Sequence, residues 1–340
     1  MEQTLRVCIY GATGYTGIEL LRILLNHPYV RVVSLTSQTY KGKYISELFP
    51  YFSDSYVSNM LLVEEPNEEF DLAFLCLPHD ASLELVPNLL EMGKKVIDLS
   101  GAYRIRNASL YPEFYGFEHK YPYILERAVY GLPEVFRDSI KSADIVSNPG
   151  CYPTAALLSI YPLLKAKVDF EKVVIDAISG VSGAGRKTAQ SFHYPEMEQN
   201  TFAYSISKHR HTPEIENVIE RVSGRDVSVR FTPKVVPMSR GMLSTTYLYM
   251  ERLDLLELFT ETYREEKYVK TVSHPPMTKY VLGTNLCLIF PYYDERTGIA
   301  LIVSAMDNLG KGASGQAVQN MNLMIGMEET VGIEKIALFP

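Results

Sequence analysis

Short β-rich runs alternating with amphipathic helical patterns fill the first half of the chain, and a glycine loop joins the first run to the first helix. Longer strand-like runs with few helices fill the second half. These observations predict an α/β architecture: an N-terminal Rossmann-type, doubly wound parallel sheet plus an α+β domain, with a C-terminal helix returning to the first domain. The first sheet is read from "LRVCIY", "VRVVSLTS", "DLAFLCLP", "KVIDLS" and "ADIVSN", with "GIELLRILLNH" and "ASLELVPNLLEMG" as crossover helices. Strands separated by helices imply βαβ units with right-handed crossovers, so this sheet runs parallel to about Asn148.

Beyond Cys151 the rhythm changes. A helix, "TAALLSIYPLLKA", leads into the strand-like "KVVIDAISG", "VSVRFTPKVVPM", "LSTTYLYM", "LCLIF" and "IALIVSAM", interrupted by the helix "LDLLELFTETYREE". Few helices between strands imply an antiparallel or mixed sheet. The last segment opens with glycines and then places Ala317, Val318, Met321, Met324 and Ile325 at helical spacing. The expected division is therefore 1–148 with 308–340 as a nucleotide-binding domain, and 149–307 as a catalytic and subunit-contact domain.

At 340 residues the chain exceeds the size at which one core usually keeps growing, which fits two domains. Its formal charge of −7 argues against a general nucleic-acid binder, which collects Lys and Arg into a phosphate-neutralising patch. No apolar stretch approaches the roughly 20 residues that span a bilayer, and the N-terminus shows no basic region followed by a long apolar one. A cytoplasmic protein, bound to neither membrane nor nucleic acid, is expected. The four cysteines are scattered, with no C-x-x-C pair, so neither a disulfide framework nor a zinc site is suggested. Cys8, Cys76 and Cys287 lie in apolar strand-type runs where a thiol packs as a hydrophobe, whereas Cys151 lies in a turn.

The loop "YGATGYTG" follows the first strand and opens a helix. Gly11, Gly14 and Gly17 have the spacing of a dinucleotide loop: one glycine turns the chain, one admits the pyrophosphate, one lets helix and strand pack. Backbone amides at the helix start would hold the phosphates; a tight βα turn that needs glycine structurally is the plainer reading. NAD-binding chains usually end their second strand in Asp or Glu to bond the ribose 2′-hydroxyl. Here the strand runs into Ser37, Gln38, Lys41 and Lys43, which favours NADP; solvated loop lysines are the alternative.

In "SNPGCYPTA", Pro149 and Gly150 set a sharp turn and Pro153 suits a first helical turn. Cys151 is then expected at a helix N-terminus, where dipole and free amides stabilise a thiolate and could receive an oxyanion. A buried, inert thiol is the competing reading. A nucleophilic thiol needs a proton partner, and "SKHRHTPEIENVIE" offers His209 and His211 just before a helix carrying Glu214; a surface pair or a metal site stays open for them. Two stretches offer anion sites: Ser100 and Arg104 in "DLSGAYRI", and the glycine-rich "ISGVSGAGRK" with Ser182, Gly183, Gly185 and Arg186. Together these parts imply acyl-phosphate chemistry, in which a thiolate expels phosphate and the thioester is reduced by a hydride.

With "GATGYTG", "CLPHDAS", "DLSGAYR", "YGLPE", "SNPGCYPTA", "SGVSGAGR", "HRHTPEI" and "DNLGKGASGQAVQNMN" in this order, the chain resembles the N-acetyl-γ-glutamyl-phosphate reductase family of the aspartate-semialdehyde dehydrogenase superfamily over essentially its whole length. The resemblance implies a nucleophile at Cys151 and an acid/base histidine in "HRH", His211 being favoured over His209. It implies NADP contacts at Gly11, Thr13, Gly14, Tyr15, Thr16 and Gly17, to which the reading of the strand end adds Ser37 and Lys41 near the ribose. Further NADP contacts are implied at Pro78, Ser182 and Gly183, and at Asn308, Lys311 and Gln316 of the returning segment. An acyl-phosphate substrate would meet Ser100, Arg104, Asn148, Gly185 and Arg186, and a homodimer or homotetramer is implied. The chain departs from the family in Asp80 after "PH" and in "SGAYR" for "SADFR", which leaves contacts near Pro78 less constrained.

Two other readings compete. One is the same reaction on an N-acylated or carrier-linked α-aminoadipyl phosphate, since one methylene alters pocket selectivity only modestly. The other is a non-catalytic NADP-sensing regulator.

Overall fold

The computed structural model describes residues 4–187 and 189–338. Two compact units share the chain: Met1–Ala108, Phe117–Asn148 and Ser314–Ile333 form one, and Ser109–Gly116, Pro149–Ala313 and Glu334–Pro340 the other. Among the described residues no helix is long and apolar enough to cross a membrane, and no group of His, Cys, Asp or Glu could hold a metal ion.

The first unit is built on seven parallel strands: β1 Leu5–Tyr10, β2 Val30–Thr36, β3 Leu62–Val63, β4 Leu72–Leu75, β5 Lys95–Asp98, β6 Val129–Tyr130 and β7 Ile145–Ser147. Their order, β3-β2-β1-β4-β5-β7-β6, reverses direction between β1 and β4. That reversal opens the crevice beyond the strands' carboxyl ends where ligands of doubly wound sheets bind. Helices α1 (Tyr15–Leu24), α2 (His79–Glu91) and α3 (Pro133–Lys141) are its longer helices before Asn148. All four residues of β4 are fully buried, as a strand covered on both faces requires.

The last helix of this unit, Gly315–Met324, has every residue buried. A helix buried all round must find partners for its polar side chains inside the protein, and three of its amide side chains do so. Asn320 Nδ2 donates to the Gly131 carbonyl (2.8 Å) and to Asn148 Oδ1 (2.9 Å). Asn322 Oδ1 meets His27 Nε2 at 2.9 Å, and Gln319 Nε2 donates to Glu329.

The second unit holds a mixed sheet of seven strands: β8 Val173–Gly180, β9 Phe202–Ala203, β10 Val229–Val236, β11 Met242–Tyr249, β12 Val269–Thr271, β13 Cys287–Asp294 and β14 Ile299–Met306. The order is β12-β13-β14-β11-β8-β10-β9; β10 runs parallel to β8, while β11 is antiparallel to β8 and β14. Burial alternates along β8, β10 and β11, so one face points into a core. That face is covered by α4 (Cys151–Lys165), which lies against β11 and β14 and packs on α5 (His211–Ser223) and α6 (Leu255–Tyr263).

Among the described residues two helices contain an internal proline, which removes the N–H that the carbonyl four residues earlier would accept. In both a tyrosine replaces it. Pro87 in α2 frees the Leu83 carbonyl, which accepts from Tyr103 Oη at 2.7 Å. Pro162 in α4 frees the Leu158 carbonyl, which accepts from Tyr263 Oη of α6 at 2.6 Å. The second substitution ties the rear of α4 to α6, and α4 begins with Cys151.

Candidate active site

In the first unit the glycine loop leaves the end of β1 at the sheet's reversal point. Gly11 has φ +75, and a Cβ there would collide with the Cys76 carbonyl beyond β4; one on Gly17 would lie 2.6 Å from the Gly11 carbonyl oxygen. Both positions therefore demand glycine for packing. Gly14 is different: its Cβ would meet nothing closer than that same oxygen at 3.6 Å. The loop is thus open where a pyrophosphate would approach, at the N-cap of α1, whose first turn, begun by Tyr15 and Thr16, presents amides without intrahelical acceptors. The end of β2 braces the loop. Gly11 N donates to Thr36 Oγ1 (3.2 Å), Ala12 N to the Thr36 carbonyl (2.9 Å), and the Thr13 and Ser37 hydroxyls are bonded at 3.0 Å. Lys41 pairs with Glu64 at 2.7 Å in an exposed contact, and Pro78 caps α2.

Ser100, Arg104 and Asn148 are buried at the ends of β5 and β7. The Ser100 amide and hydroxyl donate to Asp98 (2.9 and 2.8 Å). Arg104 Nε donates to the Asn148 carbonyl at 2.8 Å and its NH2 to the Leu99 carbonyl at 2.8 Å. The guanidinium thus fixes the backbone three residues ahead of Cys151.

In the second unit Cys151 is the first residue of α4. Gly150 precedes it in extended conformation, no side chain caps the helix, and no acid lies in its first turn. The half-buried thiol therefore sits at the positive end of a fifteen-residue helix. Cys8 shows the contrast: burial in the β1 core pushes its thiol up to about 12. Gly312 packs against the cysteine so closely that a Cβ on it would lie 2.8 Å from Cys151 Cβ.

His209 and His211 come together although Arg210 between them is helical rather than extended; their ring centroids are 4.6 Å apart. His211 is the first residue of α5. His209 Nδ1 accepts the His211 amide at 3.1 Å, capping the helix, and its ring lies among Tyr152, Tyr204 and Phe231. Burial, with Arg210 adding to it, lowers His209 to about 4, so it is neutral near pH 7. Glu214, fully buried, accepts the Gly150 amide through Oε1 at 2.9 Å, and its Oε2 lies 4.0 Å from His211 Nε2. One carboxylate thus spans the turn before the cysteine and the imidazole.

Cys151, His209, His211 and Gly183 line one cavity of about 400 Å³, within the range of small-molecule sites. Ser182 adjoins it, accepting from Asn308 Nδ2 at 2.9 Å, while the Asn308 Oδ1 accepts the Gly241 amide. Gly185 and Arg186 are exposed and do not line it. Lys311 and Gln316 are fully buried, in a π-helical turn and in the C-terminal helix respectively. The cavity also takes in Phe114, Tyr204, Lys208 and Arg210, which sequence reading did not single out. Glu214 had a legible signal, its i,i+3 spacing from His211; Phe114 had none, since it comes from a stretch flanked on both sides by the other unit.

Residues 6–143 match the semialdehyde dehydrogenase NAD binding domain, and residues 151–308 the semialdehyde dehydrogenase dimerisation domain. The curated N-acetyl-gamma-glutamyl-phosphate reductase of Aquifex aeolicus is 62% identical over 340 residues, the whole of both chains. The chain belongs to the N-acetyl-gamma-glutamyl-phosphate reductase family. A relative of the same name from Desulforudis audaxviator is 44% identical over 345 residues, spanning 99% of this chain and all of its own. Among solved structures, aspartate semialdehyde dehydrogenase II from Vibrio cholerae complexed with ASA matches with a TM-score of 0.75 at 17% identity, covering 95% of this chain and 99% of its own. Aspartate semialdehyde dehydrogenase with NADP from Candida albicans matches at 0.71 and 14% identity over the same shares. At such identities the likeness shows the fold: a parallel nucleotide-binding sheet and a mixed-sheet second domain. This family's first domain takes a nicotinamide nucleotide, and the opening at Gly14 fits a pyrophosphate.

Proposed function

We propose that the chain catalyses NADPH-dependent reduction of N-acetyl-γ-glutamyl phosphate to N-acetylglutamate semialdehyde with release of phosphate, the arginine-biosynthetic reaction, through a thioester on Cys151. The observation that carries this reading is Cys151 at the head of α4, facing a cavity shared with His211, in a chain 62% identical over its full length to a reductase of that name.

Cys151 attacks the γ-carbonyl as thiolate, and amides at the head of α4 hold the oxygen that becomes negative. The C–O bond to phosphate then breaks, phosphate leaving with the electron pair beside Gly183, with Gly185 and Arg186 beyond it. When bound, the nicotinamide supplies the hydride that reduces the thioester carbonyl. His211 donates a proton to that oxygen as it gains charge and takes it back as the C–S bond breaks, releasing aldehyde and thiolate. Glu214 Oε2 lies 4.0 Å from His211 Nε2 and links the imidazole to the turn before Cys151. His209, neutral and capping α5, holds the backbone of His211. Ser100, Arg104 and Asn148 fix the turn that carries Cys151. Gly11 to Gly17, with Thr13, Tyr15 and Thr16, hold the pyrophosphate; Pro78, Asn308, Lys311 and Gln316 are further contacts of the nucleotide.

NADP over NAD is supported by the uncharged end of β2 at Ser37; the exposed Lys41–Glu64 pair is weak enough to exchange its carboxylate for a 2′-phosphate. The dimerisation domain supports a homodimer or homotetramer, and four free cysteines suit a reducing cytoplasm.

The test runs the reaction backwards with aldehyde, NADP and phosphate. The wild type should turn over N-acetylglutamate semialdehyde in preference to the aminoadipate homologue. Cys151→Ser should lose on the order of 10⁴-fold or more in kcat while still binding NADP. Undiminished turnover in that variant would rule out the thioester, and preference for the longer aldehyde would reassign the substrate.

A further inference from the structure

The cavity before Cys151 has an electrostatic character opposite to that of the whole chain. The chain carries a formal −7, yet the cavity wall contains two cations, Lys208 and Arg210, and no Asp or Glu. Both side chains are exposed, and among the described residues neither is held in an ion pair or side-chain hydrogen bond. Cations left without carboxylates on the wall of a ligand-sized cavity form a site for an anionic group of the ligand.

The backbone makes Arg210 the better placed of the two. It lies between His209 and His211, both buried, and the His211 amide is bonded to His209 Nδ1 across it. The stem of the guanidinium is therefore anchored on both sides at a fixed distance along the chain from the imidazole. Lys208 follows a looser stretch, Ser205 and Ser207 having positive φ. Another part of the same wall is formed by Gly183 and the head of α4, the Gly180 amide there being donated to the Gly241 carbonyl. The site thus offers two separate sets of anion partners, and a substrate carrying a phosphate at one end and a carboxylate at the other needs two.

We propose that Arg210, with Lys208 as the weaker partner, binds the α-carboxylate of the acylated amino-acid substrate and so selects acyl phosphates that bear one. This rests on the reaction assigned above. The methylene chain and acyl cap then lie against the apolar surface of Phe114 and Phe192 in the same cavity.

The test compares two aldehydes in the reverse reaction with NADP and phosphate: N-acetylglutamate semialdehyde and 4-acetamidobutanal, which differs only in lacking the carboxylate. The wild type should prefer the carboxylated aldehyde by roughly 100-fold or more in kcat/KM. In Arg210→Gln that preference should collapse by about 30-fold, through the KM for the carboxylated aldehyde, and Arg210→Lys should restore part of it. Lys208→Gln should lose about 3-fold. Equal losses on both aldehydes in Arg210→Gln and Arg210→Lys would overturn the proposal. So would an intact preference with a raised KM for phosphate, which would put the guanidinium on the leaving group instead. A wild type that oxidises neither aldehyde would sink the assigned reaction itself, a different outcome from any of these. Wild-type rates of Cys151 alkylation by iodoacetamide in each variant show that the cavity has kept its fold; if Arg210→Gln fails this control, Arg210→Lys and Lys208→Gln still decide.

Discussion

His209 and His211 are one residue apart and share one cavity, yet the structure gives them different physical tasks. His209 is enclosed by aromatic rings and lowered to about 4, so between pH 5 and 8 it stays neutral and its Nδ1 remains an acceptor for the His211 amide. His211 has a carboxylate 4.0 Å from its Nε2. The expected pH–rate profile therefore contains one limb belonging to His211 and none belonging to His209. His211→Asn should lower kcat by about 10²- to 10⁴-fold and remove that limb. His209→Asn, whose amide oxygen can still cap α5, should keep the limb in place with a smaller loss, and His209→Ala should cost about 1 kcal/mol in stability as a lost cap. A limb that disappears in His209→Asn and survives in His211→Asn would reverse the assignment. The sequence made the pair visible, but only the family resemblance ranked it, because ring burial depends on Tyr152 and Phe231 from distant parts of the chain as well as on nearby Tyr204.

Helix α4 shows how an element was only partly readable. Its start was legible, since Pro149, Gly150 and Pro153 punctuate it, and the structure begins the helix at Cys151. Pro162 inside it is the reason that Tyr263 of α6 can donate to the Leu158 carbonyl, a contact no local pattern encodes. Tyr263→Phe should leave that buried carbonyl without a donor and cost about 1–3 kcal/mol. Adding Pro162→Ala supplies the missing helical N–H, so the double variant should recover most of the loss. Chemical denaturation of the wild type, both single variants and the double reads this coupling directly; additive losses would mean that the tyrosine acts only by packing. The alternating burial of β8, β10 and β11 was legible for the opposite reason, since a period of two is written into the residues themselves, whereas the two-residue β3, β6 and β9 are too short to show any period.

The chain passes between the two units several times: residues 109–116 leave the first unit, the chain departs again at Pro149, returns at Ser314 and leaves once more at Glu334. Sequence periodicity marked the helix after Ser314 but not its importance, because a helix buried on all sides has no amphipathic stripe to reveal a partner. Its apolar residues Ala317, Val318, Met321, Leu323 and Met324 are all buried, and at about 1.5–3 kcal/mol for each larger side chain their burial is worth on the order of 10 kcal/mol. That matches the whole stability of an ordinary domain, about 5–15 kcal/mol. Removal would also strip partners from His27 and from the Asn148 side chain, which bond Asn322 and Asn320. A chain ending at Ala313 should therefore lose the first unit as a folded body, although it keeps every glycine of the nucleotide loop. The measurement is the rise in melting temperature on adding NADP, which amounts to about 2.7 kcal/mol of stabilisation at 100 times Kd in a folded binder. The full chain should show the rise and the truncated chain none. A rise that persists in the truncated chain would mean that the loop and the seven-stranded sheet suffice, and that the returning helix adds stability without being required for the nucleotide-binding fold.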